Sequence, residues 1–197
     1  MAERDEHPRV LSLRTVDGRP TLVQAPVDEL TGLREDPVTV EDLAVPGDTP
    51  LEVTRTTFEF TAEIDVGDAD EVGLRVRERR AGDGSVAEAT VVGVDVGAGE
   101  LFLDRSQGGL ATIDTRDGGT FDFALRRTAA YSPPDGVVRL HGFVDESSIE
   151  VFVDDGTLTG TLLTYPSADA DGLSLYATDG TATLQNLTVY PLRSIWR

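Results

Sequence analysis

Apolar and polar residues alternate along most of this chain, and turn residues break the alternation roughly every 8 to 15 positions. The segment 143–156, FVDESSIEVFVDDG, shows the pattern clearly. Phe143 and Val144 close one apolar run, and Asp145, Glu146, Ser147 and Ser148 form a polar corner. Ile149, Val151 and Val153 then alternate with Glu150, Phe152 and Asp154, which is the period of two of a strand. Asp155-Gly156 supplies the next tight turn. The same reading predicts a hairpin from 10–16 and 19–26 around Asp17-Gly18. VDELTGLRE (27–35) reads as a short helix, with Leu30 and Leu33 on one face, acidic Asp28 and Glu29 in its first turn and Pro37 as its stop. Beyond residue 38 only strands and turns are expected. They fall near 38–45, 51–66, 72–76, 89–95, 100–104, 120–125, 137–144, 149–153, 157–164, 173–177 and 181–190. Phe58, Phe60, Ala62 and Ile64 share one face of the long strand 51–66. This spacing predicts an all-β fold, a two-sheet antiparallel β-sandwich.

Composition narrows the function classes. The 197 residues suffice for one ordinary domain with a short extension. Asp and Glu number 36 against 17 basic residues, a formal net charge of -19, and every basic residue is Arg. A surface of that sign repels nucleic acid and anionic membranes, so neither is expected as a partner. Acid excess without Lys points to a protein adapted to a salt-rich cytoplasm, where repulsion between carboxylates is screened. The first residues, MAERDEHPRV, lack an apolar core of the secretory type, and no apolar run is long enough to span a membrane. A cytoplasmic location follows, or an extracellular one if the chain is part of a secreted enzyme. With no Cys there are neither disulfides nor thiolate metal sites.

Three motifs occur in order: LFLDRS (101–106), VDxSSxEVFxxDG (144–156) and YPLRSIW (190–196). Together they resemble the C-terminal β-sandwich of glycoside hydrolase family 32, the family of invertases, levanases and inulinases, over residues 8–196. The family usually carries Asn where this chain has Asp154. The resemblance implies a sandwich of the concanavalin-like or jelly-roll kind over 38–197. Residues 8–37 would be a hairpin plus linker helix left from the last blade of a β-propeller, behind a frayed tail at 1–7. Members of the family cleave β-fructosidic bonds by a retaining mechanism, with two carboxyl groups about 5 Å apart. Both sit in the N-terminal propeller, within Trp-Met-Asn-Asp-Pro-Asn-Gly, Arg-Asp-Pro and Glu-Cys motifs. Here the single Asn is Asn186, the single Met is Met1, the single Trp is Trp196, and Cys is absent. Arg34-Glu35-Asp36-Pro37 is a broken echo of one motif, with an inserted Glu. The resemblance therefore implies a module without catalytic residues, whose partner is a catalytic β-propeller domain or subunit. Homo-oligomer contacts are a further expected use of its surface.

Candidate residues are judged against this background. Asp104, Asp145 and Glu150 lie in the motifs among apolar neighbours, where a carboxylate must be paired or hydrogen-bonded. Arg105, Ser147, Ser148 and corner amides are the expected partners, and Ser106 and Phe152 belong to the same motifs. These residues are read as structural. Of the two histidines, His7 falls in the tail and His141 in a strand, and neither is read as catalytic. The acidic loops 65–70 and 169–172 lack the EF-hand ligand spacing, so no metal and no cofactor is expected. Fructan binding in the manner of a lectin is the alternative function. Phe58, Phe60, Phe121, Phe123 and Phe152 read as core, which leaves Tyr131 and Tyr165, near Pro-containing loops, as rings for stacking on sugar.

Overall fold

A computed structural model describes residues 7–16 and 18–194. Residues 1–6 of the expected tail, Asp17 of the first turn, and Ile195 and Trp196 of the closing motif lie outside the described residues. The chain runs through β1 (Arg9–Val16), β2 (Arg19–Pro26), a 3-10 turn (Asp28–Leu33), β3 (Val38–Val45), β4 (Thr49–Thr54) and β5 (Phe58–Asp65). It continues through β6 (Glu71–Arg80), β7 (Val86–Asp95), β8 (Glu100–Gln107), β9 (Thr112–Asp114), β10 (Thr120–Asp122) and β11 (Arg126–Ala130). It ends with β12 (Val137–Val144), β13 (Ser148–Val153), β14 (Leu158–Leu163), β15 (Gly172–Thr178) and β16 (Ala182–Pro191). Two six-stranded antiparallel sheets form the sandwich, in the orders β14-β13-β12-β5-β16-β3 and β11-β8-β7-β6-β15-β4.

The core follows from alternation. Phe58, Phe60, Ala62 and Ile64 of β5, Val138, Leu140 and Val144 of β12, and Ile149, Val151 and Val153 of β13 face inward from the first sheet. Leu74 and Val76 of β6, Val92 and Val94 of β7, Leu101 and Leu103 of β8, and Leu173 and Leu175 of β15 meet them from the second. Burial on this scale drives folding at about 25 cal/mol per Å² of apolar surface.

Three expectations need correction, and one edge strand went unread. The single strand read over 51–66 is two strands in different sheets: β4 pairs with β15, whereas β5 pairs with β12 and β16. The break at 55–57 is a corner between layers, where the Arg55 amide donates to the Asp171 carbonyl at 2.7 Å. A polar run Thr54-Arg55-Thr56-Thr57 carries no periodic signal, so alternation alone reads straight across it. The helix read over 27–35 is a single 3-10 stretch with no buried residue, too short to bury a face. Phe121 is 51% exposed rather than core, because β9 and β10 form a two-stranded ribbon separate from the two sandwich sheets. The edge strand β11, rich in Arg and Ala, gives no alternating signal and was not expected.

Buried polar groups hold the corners. Arg77 occupies a bulge in β6 with φ of 50° and is almost fully buried; its Nε donates to the Ala170 carbonyl at 2.8 Å. Arg105 leaves β8 and reaches the opposite sheet, donating to the Leu163 carbonyl at 2.7 Å and to the Phe123 carbonyl at 2.6 Å.

Candidate functional site

The outer face of the first sheet carries an ordered polar array. Phe143 of β12 pairs in register with Glu59 of β5 on one side and Glu150 of β13 on the other. One step along, His141 lies between Thr61 and Phe152; one step further, Arg139 pairs with Glu63, which pairs with Asn186. Since Phe58, Phe60, Ala62 and Ile64 face the core, their alternating neighbours Glu59, Thr61 and Glu63 must face outward.

The two glutamates are nonetheless buried, each only 1% exposed. Each is covered from outside the sandwich. Glu150 receives the His7 backbone amide at 2.8 Å, the His7 ring at 2.9 Å and the Arg9 guanidinium at 2.8 Å. Glu59 takes a two-pronged contact from Arg34, at 2.6 and 2.7 Å, and the His141 Nε2 at 2.6 Å. Burial alone would raise both carboxyls; the hydrogen bonds to the ionised form outweigh it. Glu59 is held at about 2, and Glu150 also lies below the usual carboxylate range.

These contacts fasten the N-terminal segment. His7 stacks near Phe143, ring centres 4.8 Å apart, and the Arg9 guanidinium lies 5.3 Å from the Phe152 ring. Arg34 lies over Tyr190 at 4.3 Å. In β2, the Gln24 amide donates to the Gly156 carbonyl at 3.0 Å, and the Gln24 side chain to Thr159 at 3.2 Å. Gly156 has φ of 83°, and a Cβ there would fall 1.7 Å from the Gln24 carbonyl oxygen, so the turn after β13 needs Gly twice over. The hairpin is thus seated on the sandwich, and Val23 is 1% exposed. Four of its apolar residues are nonetheless open: Leu13 is 76% exposed, Leu11 62%, and Val10 and Leu22 53% each.

The motif residues separate into distinct roles. Glu150 and Phe152 belong to this outer-face array. Asp145 is exposed at the β12–β13 corner, where its carboxylate accepts the Glu146 amide at 2.8 Å, its amide donates to the Ser148 carbonyl at 2.9 Å, and the Ser147 carbonyl accepts from Thr164 at 3.0 Å. Asp104, Arg105 and Ser106 sit on β8 in the other sheet, where Asp104 accepts the Ser106 amide at 2.7 Å. The expectation that motif residues would pair with Glu150 is corrected: its partners His7 and Arg9 come from the N-terminal segment. His7 itself is bound rather than frayed. Glu59, Arg34 and His141 were missed as a set because they are 25 and 82 residues apart in pairs, a separation that no local motif spans. The one available signal was a Glu flanked by Phe58 and Phe60 in a core strand.

Tyr131 is packed against the core instead of open, and burial pushes its hydroxyl up. Tyr165 is 39% exposed, and its ring meets Phe123 at 5.2 Å. The Asp154 carboxyl is likewise raised, chiefly by burial, and its φ of 46° is one that Asn adopts as readily. Among the described residues, no cluster of His, Asp and Glu is arranged to hold a metal ion, and no helix is long and apolar enough to cross a membrane.

Comparison with known proteins agrees with this architecture. Residues 29–191 match the model of the C-terminal domain of glycosyl hydrolases family 32, and the chain belongs to that family. It is 34% identical over 194 residues to a levanase of Bacillus subtilis, covering 96% of this chain and 27% of the levanase. It is 28% identical to the extracellular exo-inulinase of Aspergillus awamori, with 96% and 34% covered. The crystal structure of that exo-inulinase superposes with a TM-score of 0.78, covering 97% of this chain and 36% of the other. The chain therefore spans about a third or less of these relatives, and what it matches is their C-terminal sandwich.

Proposed function

We propose that this chain is a non-catalytic supporting module of a β-fructoside-hydrolysing enzyme, and that a catalytic β-propeller packs on the exposed apolar residues of the β1–β2 hairpin. The observation that carries the proposal is the exposed apolar surface of the hairpin. The hairpin is clamped to the sandwich through Glu150, Gln24 and Gly156, yet Val10, Leu11, Leu13 and Leu22 stand in solvent. Exposed leucines grouped on a two-stranded ribbon form the kind of apolar patch that a further layer covers. The relatives supply the size of that layer, since most of their length lies outside the matched portion. On this reading residues 8–37 are the last blade's remnant and its linker, and Glu59, Arg34, Glu150 and Arg9 fix the angle between module and propeller. The parent enzyme would act on levan, inulin or sucrose. Its setting would be extracellular, as the name of the Aspergillus relative states for that protein, or a salt-rich cytoplasm.

The test is complementation in trans. A levanase propeller produced without its own sandwich should gain thermal stability and fructan hydrolysis when mixed with this chain. Replacing Leu11 and Leu13 by Glu should abolish the gain. Release of fructose from sucrose or levan by the purified chain alone would overturn the proposal.

A further inference from the structure

A cleft of about 440 Å³ opens between the hairpin and the outer face of the first sheet. Its floor is the register array described above: Thr61 and His141, then Glu63, Arg139 and Asn186. Gln24 of β2 stands on its wall. We propose that this cleft is a binding site for a neutral saccharide, gripped by hydrogen bonds to its hydroxyl groups.

Three observations support that ligand class. The volume falls within the range of small-molecule sites and suits one or two sugar rings. The lining is balanced in charge on a chain of net charge -19: Arg14 and Arg139 face Glu63 and Asp155. A site for an anion or a cation would be of one sign; paired opposite charges beside amide and hydroxyl groups suit a neutral ligand that donates and accepts at neighbouring positions. The lining is also held in place. The His141 Nε2 lies 2.6 Å from the Glu59 carboxylate, which fixes the ring and leaves Nδ1 as its other polar atom. Gln24 is fixed by Thr159 and Arg9. A lining already ordered loses little conformational entropy when the ligand arrives. Phe152 beneath the cleft is 2% exposed and covered by Arg9, so ring stacking adds nothing and the affinity is modest.

The site rests on the family reading only for the choice of sugar, not for its position. The experiment is a set of amide-resolved NMR titrations of the full chain with sucrose, a short levan oligosaccharide and maltotriose, up to about 50 mM, where a millimolar site saturates. Shifts confined to Thr61, Glu63, Arg139, His141, Asn186 and Gln24 are expected. Arg139→Ala and Glu63→Gln lie on the exposed side of the array and should leave the fold intact while weakening binding about tenfold or more, the cost of one charged hydrogen bond. An equal response to maltotriose supports the site and detaches it from fructosides; a levan-selective response supports both. No shift with any of the three sugars, shifts centred on Tyr165 instead, or unchanged binding by both variants would overturn it. None of these outcomes depends on whether a propeller docks on the exposed apolar residues of the hairpin.

Discussion

Glu59 and Glu150 occupy positions where burial by itself would raise each carboxyl. Each stays ionised because an arginine and a histidine converge on it, and the linkage between protonation and folding makes this measurable. Glu59 has its folded-state value depressed to about 2 from an ordinary 4.5, so its contribution is complete above about pH 4.5 and is lost as the pH falls from there through 2. The size is on the order of 3 kcal/mol. Urea denaturation of Glu59→Gln should show lower stability at pH 7 and a flatter pH dependence between 4.5 and 2; a slope equal to that of the parent would refute the clamp. Glu150→Ala removes the acceptor shared by Arg9 and His7, which pack beside Phe152 and Phe143. A loss of about 2–3 kcal/mol is expected, or roughly 4–10 °C in melting temperature for a domain of this size. An unchanged melting temperature would mean that the contact with the N-terminal segment contributes nothing.

Between elements, the deciding contact is the one from β2 to the turn after β13. Gly156→Ala would set a methyl group into the Gln24 carbonyl at a positive φ, and neither side yields without moving the hairpin. A cost of about 1–3 kcal/mol is expected. Hydrogen exchange at the Gln24 amide, which donates to Gly156, should accelerate well beyond exchange in β5 or β12. If Gln24 stays as protected as in the parent, the hairpin is held by other means. This contact also shows what the sequence can disclose. Asp155-Gly156 reads as a turn from its residues alone, and the strands of β12, β13 and the first hairpin follow from alternation. That the same Gly is also the seat of a strand more than 130 residues earlier is a fact of packing, which periodicity does not encode. The split of 51–66 into β4 and β5 and the exposure of Phe121 on its detached ribbon are of the same kind. For the site, the motif gave Glu150 and Phe152, whereas Arg9, Arg34, Glu59, His7 and His141 came together only in three dimensions.

For the molecule as a whole, the charge balance sets two opposing salt effects against each other. Arginines are engaged locally: Arg80 with Asp48 and Glu78 at 2.7 and 2.5 Å, Arg75 with Asp48 at 2.7 Å, Arg126 with Glu71 at 2.9 Å. Salt weakens such partly exposed pairs, each worth about 1 kcal/mol or less. Against them stands the repulsion of 36 carboxylates facing only 17 cations, which salt relieves. The excess is too large for local pairing to absorb, so the repulsive contribution decides the sign and added KCl should stabilise the fold. The shape of the response separates screening from the general strengthening of apolar burial by salt. Screening acts early, because the Debye length shrinks from about 10 Å at 0.1 M to about 3 Å at 1 M and changes little afterwards. Melting temperatures followed by far-UV circular dichroism should therefore climb steeply up to about 1 M KCl and flatten toward 3 M. A straight line across that whole range would assign the stabilisation to burial alone. A flat one would mean that the acidic surface does not strain this sandwich.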